Sequence, residues 1–117
     1  MDNRKIITEF LDAFDKNDLE GILSHIAEDA SWDILNDQKI VGKEALRKFF
    51  YDNQNMKVVS ATREHFIVDG DRASVGGEAI CKNMDSGDEY DMYYCDVYGL
   101  KNGKINNMVT YTINKKK

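Results

Sequence analysis

The 117-residue chain contains no proline, two cysteines, two histidines and one tryptophan. Without proline, nothing in it forces a missing donor into a helix interior or a strand ladder. Cys81 and Cys95 are too few for a disulfide framework, so the expectation is two reduced thiols. His25, His65, Cys81 and Cys95 lack the spacing of a zinc site, so no metal is expected. There is no glycine-rich phosphate loop, dinucleotide fingerprint, Ser–His–Asp or Cys–His arrangement, so no cofactor is expected either. Gly76-Gly77 falls inside a strand pattern, where glycine permits bending or a close backbone approach. No apolar run nears the ~20 residues that cross a bilayer. The polar start Met1–Lys5 lacks the apolar core of a secretory leader. The expected setting is therefore cytoplasmic, away from membranes. Bases are outnumbered: 16 Lys and Arg against 21 Asp and Glu give a net charge of −5. Such a surface repels phosphate backbones and argues against a nucleic-acid partner.

What is present is a core-forming composition, 42% hydrophobic, in a length that suits one domain spanning 1–117. Up to about Tyr51 the apolar residues follow a helical period, and after Met56 they alternate as in strands. Ile6, Ile7, Phe10, Leu11 and Phe14 predict a helix from Asn3 to Asp15. Asn17 closes it and Asp18 caps a short second helix carrying Leu19, Ile22, Leu23 and Ile26. A brief strand, Ala30–Leu35, a turn at Asn36-Asp37 and an extended piece, Lys39–Val41, come next. Gly42 opens a third helix with Ala45, Leu46, Phe49 and Phe50 at core spacing. The rest reads as a four-stranded meander: Met56–Val68, Arg72–Lys82, Glu89–Leu100 and Ile105–Ile113. Asp69-Gly70 and Asn102-Gly103 supply tight turns, and Asn83–Asp88 a longer polar loop. The three lysines at 115–117 read as a solvated terminus. Helices followed by strands predict an α+β fold, with helices on one face of a mostly antiparallel sheet.

This order resembles the nuclear transport factor 2-like superfamily, particularly its SnoaL-like and ketosteroid-isomerase-like branch. The likeness lies in Phe10–Ile22, in Ala27–Ile34 with the helix entry Val41–Phe50, and in Asp96–Ile105. It implies a cone-shaped half-barrel around a pocket for a small, largely apolar molecule, and commonly a homodimer through the outer sheet face. Val75, Tyr93, Cys95 and Val97 are expected on that outer face. The resemblance also points to Asp96, since the isomerases keep a protonated carboxyl at the matching strand position to donate to a substrate oxyanion. Two isomerase features are missing. Ile34 stands where the base would be and Phe10 where an oxyanion-binding tyrosine would be, while Asp33 alternates to the opposite face. None of Arg4, Arg47, Arg63 and Arg72 has an acid two positions on, so the epoxide-hydrolase signature is absent too. Paired histidines for dehydratase chemistry are not indicated.

From the residues themselves, Asp96 sits among bulky groups in Tyr93–Tyr98, where desolvation raises a carboxyl pKa. Alternation places Met92, Tyr94, Asp96 and Tyr98 on one face. With Trp32, Ile34, Phe10, Phe50 and Met56 they make an apolar wall carrying hydroxyls and one carboxyl, the profile of a ligand pocket and equally of a filled aromatic core. The register of the last hairpin decides whether Met108 and Thr110, or Asn107 and Tyr111, join the Asp96 face. Met108 and Thr110 are included among the candidate lining residues. The faces of His65, Glu64 and Glu78 stay open. The leading expectation is a pocket protein for a small hydrophobic or aromatic molecule, with acid/base isomerase or lyase chemistry using Asp96 as proton donor. The alternatives are a non-catalytic binding module and a dimeric interaction domain.

Overall fold

The computed structural model describes residues 2–115. Helix α1 (Asn3–Asp15) starts at Asp2, whose side chain accepts from the Lys5 backbone N–H, and buries Ile7, Phe10, Leu11 and Ala13. Asn17, at φ 55°, reverses the chain, and Asp18 caps α2 (Leu19–Ser24) through the Gly21 N–H at 3.1 Å. Ile26 is buried as expected, but from the start of strand β1 (Ile26–Ile34) rather than from the helix. Strand β2 (Gln38–Val41) folds back across a turn in which Asn36 takes φ 65°. Gly42, at φ 95°, then leads into α3 (Lys43–Asp52), which buries Leu46 and Phe50.

The expected strand Met56–Val68 is two strands, β3 (Met56–Ala61) and β4 (His65–Asp69), separated by Thr62–Glu64. Both pair with the long β5 (Arg72–Asn83), so the break lets one continuous strand serve two partners that diverge as the sheet curves. Gly77 belongs to this arrangement: a side chain there would run into the Thr62 carbonyl at 2.5 Å. The first hairpin turns on Gly70-Asp71, one residue later than expected, with Gly70 at φ 60°. Strands β6 (Glu89–Lys101) and β7 (Lys104–Asn114) complete a curved seven-stranded sheet in the order β2-β1-β7-β6-β5-β3, with β4 beside β5. All pairings are antiparallel except β1 with β7, so the fold is α+β with an unclosed mixed sheet.

Two registers decide what faces inward. Lys82 pairs with Glu89 across the polar loop, which sets Val75 opposite Asp96. Directly paired residues share a face. Val75 is therefore an inner residue, fully buried, and not part of the outer face. At the last hairpin Asn102 and Gly103 form a two-residue loop at φ 53° and 76°, yet Asp96 pairs with Thr110 rather than Val109. The extra residue is a bulge: Leu100 pairs with Ile105 but Gly99 with Asn107, leaving Asn106 unmatched.

The core lies between the helices and the inner sheet face. Ile7, Phe10, Ile22, Leu23, Ile26, Leu46, Val75, Tyr98 and Ile105 are its fully enclosed large side chains. Each contributes about 1.5–3 kcal/mol by leaving water. Lys115 departs from the solvated-tail expectation by bonding Glu78 and, at 3.2 Å, Asp91. Lys116 and Lys117 lie outside the described residues. Among the described residues, no helix is long and apolar enough to cross a membrane.

Candidate functional site

Inward-facing positions on β6 and β7, with α1 above them, border a half-open hollow of about 160 Å³. Its wall includes Phe10, Phe14, Trp32, Tyr94, Tyr98 and Met108, with Asp96, Thr110 and Thr112 as polar points on the sheet. Phe10 meets Tyr98 edge-on at 5.8 Å and Phe14 at 5.0 Å. A second hollow of about 250 Å³ adjoins it, sharing Phe14, Trp32 and Val58.

The Asp96 carboxyl is held by a directional chain. Trp32 Nε1 donates to Thr110 Oγ1 at 2.7 Å, and Thr110 Oγ1 donates to Asp96 Oδ1 at 2.8 Å. A hydroxyl has one proton, so Thr110 can donate to Asp96 while its lone pair accepts from Trp32. Tyr98 donates to Asp96 Oδ2 at 3.3 Å. Burial pushes the Asp96 pKa from 3.8 up to about 6, against the opposing pull of the Thr110 and Tyr98 bonds and the Arg63 charge. At neutral pH the carboxylate predominates, and its protonated form lies only about 1.4 kcal/mol away. Burial also raises Tyr98 well above its ordinary range, and Tyr94 less so, which keeps both phenols neutral.

Of the residues expected around this site, Trp32, Phe10, Tyr94, Tyr98, Met108 and Thr110 line the same hollow as Asp96. Phe50 and Met56 line the second hollow, where Phe50 stacks on Trp32 at 5.6 Å. Ile34 pairs with Thr110 in register but packs against the core and lines neither hollow. Asp33 pairs with Val109 on the outer face. His65 also faces outward, its Nε2 3.0 Å from Ser74 Oγ, and Glu78 shares that side opposite Tyr93. Glu64 is exposed between β3 and β4. His25 caps α2, with Nδ1 2.9 Å from the Gly21 carbonyl. Among the described residues there is no cluster of three metal-ligating side chains.

The residue that strand periodicity overlooks is Arg63. It lines the Asp96 hollow from the Thr62–Glu64 break and pairs with Asp15, at the end of α1, through Nη2–Oδ1 at 2.8 Å. The signal was the polar run Thr62-Arg63-Glu64 interrupting an apolar alternation.

A family model for the SnoaL-like domain matches residues 7–108. The chain belongs to the SnoaL-like domain family. Solved structures agree with this placement. A candidate SnoaL-like polyketide cyclase from Mesorhizobium loti is 25% identical to this SnoaL-like chain, with a TM-score of 0.76 over 95% of it and 99% of the relative. TerC, co-crystallised with polyporic acid, is 20% identical, with a TM-score of 0.79 over 95% and 91% of the two chains. An LEH-like epoxide hydrolase from M. tuberculosis is 13% identical, with a TM-score of 0.84 over 95% and 82%. The last two likenesses concern the fold. No curated protein matches the sequence.

Proposed function

We propose that this SnoaL-like chain binds a small apolar or aromatic molecule in the hollow above β6 and moves a proton on it through Asp96. The supporting observation is the carboxyl itself, set in an apolar wall, oriented by Thr110 and raised to about 6. A group balanced near neutrality can both accept and donate a proton. As carboxylate, Asp96 takes a proton from a carbon next to a carbonyl. The C–H electron pair becomes the new carbon–carbon double bond and the carbonyl pair moves onto oxygen. Where a conjugated double bond extends the enolate, returning the proton to its far carbon re-forms the carbonyl and completes an isomerisation. Where the β carbon carries a leaving group, the re-forming carbonyl expels it with the proton from Asp96 and completes a lyase reaction. The sequence expectation of Asp96 as donor becomes the second half of this cycle. That the relatives include a candidate polyketide cyclase and a protein crystallised with polyporic acid supports a ring-bearing, oxygenated substrate.

The proposal includes a cytoplasmic setting and a homodimer through the outer sheet face. Tyr93, Tyr111 and Ile113 are 50%, 50% and 68% exposed there, close to Val97, Val109 and Cys95. Apolar surface of that kind is what a second copy covers. The second reading, binding without turnover, is favoured by Phe10 and Ile34, which leave no second proton-transfer group at the positions the isomerases use.

Asp96→Asn separates the readings. In a screen of ring-bearing ketones and enols, it abolishes turnover while leaving binding, followed by Trp32 emission, intact. Turnover that survives the substitution removes the mechanism, and stabilisation by a ligand without turnover selects the binding module.

A further inference from the structure

The hydrogen-bond donors around Asp96 are nearly all committed within the protein. Trp32 donates to Thr110, Thr110 and Tyr98 donate to Asp96, and Tyr94 donates to the Thr62 carbonyl. Thr112, at the exposed end, and Arg63, which bonds Asp15 on the wall of the same hollow, are the donors outside this set. A guanidinium has five N–H donors, and among the described residues one carboxylate, Asp15, holds Arg63. The Arg63 side chain is 21% exposed and that of Asp15 48%, so the cation lies deeper in the wall than its partner. An ion pair with one half in water is weak and readily exchanged.

Asp15 is also badly placed for its own helix. It is the last residue of α1, where the carbonyl end of the helix disfavours negative charge, and that turn has no basic residue. Its contribution is therefore to hold Arg63 against the hollow rather than to stabilise α1. The break between β3 and β4 has the same result, since it turns a mid-strand residue toward the α1 terminus.

We propose that Arg63 is the anchor for an anionic end group, so that the ligand is an organic acid: a carboxylate or acidic enol on an apolar, ring-bearing body. The anion displaces Asp15 from the Arg63 fork, and the body lies along Phe14 and Trp32 with its reactive carbon toward Asp96. In the proton-transfer cycle Arg63 then faces negative charge on the substrate, the task that Phe10 cannot perform. This inference rests on the hollow being the binding site.

Calorimetry with trans-cinnamate and its neutral isostere trans-cinnamamide tests it, with Trp32 emission reporting occupancy. Cinnamate is expected to bind the native chain tighter than the amide by about tenfold or more. Arg63→Gln abolishes that preference and leaves amide binding unchanged, while Arg63→Lys restores part of it. Asp15→Asn frees Arg63 and tightens cinnamate by about two- to fivefold. Equal affinity for the two probes, or a preference that survives Arg63→Gln, overturns the anchor while leaving the apolar site standing. If neither probe binds and Trp32 emission is unchanged, the site and the anchor both fall. Should Arg63→Gln not fold, Asp15→Asn decides, because no gain in cinnamate affinity overturns the proposal.

Discussion

Strand β6 presents two surfaces made from alternate residues of one segment. Its inner side, with Tyr94, Asp96 and Tyr98, is a wall in which the carboxyl and both phenols have named partners. Its outer side sets open apolar area at Tyr93, Cys95 and Val97 beside bonded polar groups, His65 with Ser74 and Lys115 with Glu78 and Asp91, and Tyr111 beside Cys95 continues it onto β7. One side encloses its polar atoms around a hollow and the other leaves much of its apolar area open. The same aromatic residue type therefore does different work on the two sides. A tyrosine inside is tied at its hydroxyl, and one outside supplies a ring for contact.

The largest expected effect separates the faces by stability. Tyr98→Ala removes a fully buried ring from between Phe10 and Asp96, and is expected to cost about 3–5 kcal/mol in urea unfolding. An inner face that tolerated this loss would not be the core.

Next comes the pH dependence of Asp96. Its folded-state pKa of about 6 exceeds 3.8, so the folded chain binds this proton more tightly than the unfolded one. Stability is lost as pH rises from 3.8 through about 6, by up to roughly 3 kcal/mol. The charged and titratable groups acting on this carboxyl are Arg63, from the β3–β4 break, and Tyr98, beside it on β6. Asp96→Asn is expected to stabilise the chain above pH 6 and leave it unchanged below the ordinary carboxylate range. Urea midpoints of the two proteins across that range should converge only at low pH.

On the outer face, Tyr111→Asp is expected to weaken self-association by about 2 kcal/mol, read by sedimentation, with little change in inner-face behaviour. A native chain that sediments as a monomer removes the homodimer. The smallest effect is Thr110→Val, at about 1 kcal/mol of stability. Because the Thr110 bond lowers the Asp96 pKa, its loss is expected to move that carboxyl above 6 in an NMR titration. An unchanged titration would show that Thr110 does not orient the acid.

Much of this architecture is legible in the residues. The Ile7, Phe10, Leu11 stripe and the Asn17-Asp18 corner specify α1 and α2, because period and cap coincide there. The inward set Met92, Tyr94, Asp96 and Tyr98 follows from alternation alone. What alternation cannot supply is the relation between strands. Val75 belongs with Asp96 because a six-residue loop sets the parity of β5 against β6, and no property of Val75 reveals it. Arg63 enters the site through a strand break that arises from sheet curvature, a property of three strands together. Thr110 reaches Asp96 through a bulge at Asn106, whose neighbour Asn107 is the same residue type and lies in regular register.

That bulge has a consequence for how such a protein can change over generations. Whether Asn106 is bulged or paired decides which alternate set of β7 looks inward. Were Asn106 to pair with Gly99, Asn107, Val109 and Tyr111 would turn to the interior and Met108 and Thr110 would turn out. A one-residue slip in a hairpin arm thus exchanges one wall of the chamber without any substitution. Substitutions adjust this wall one side chain at a time. The register of the hairpin exchanges it whole.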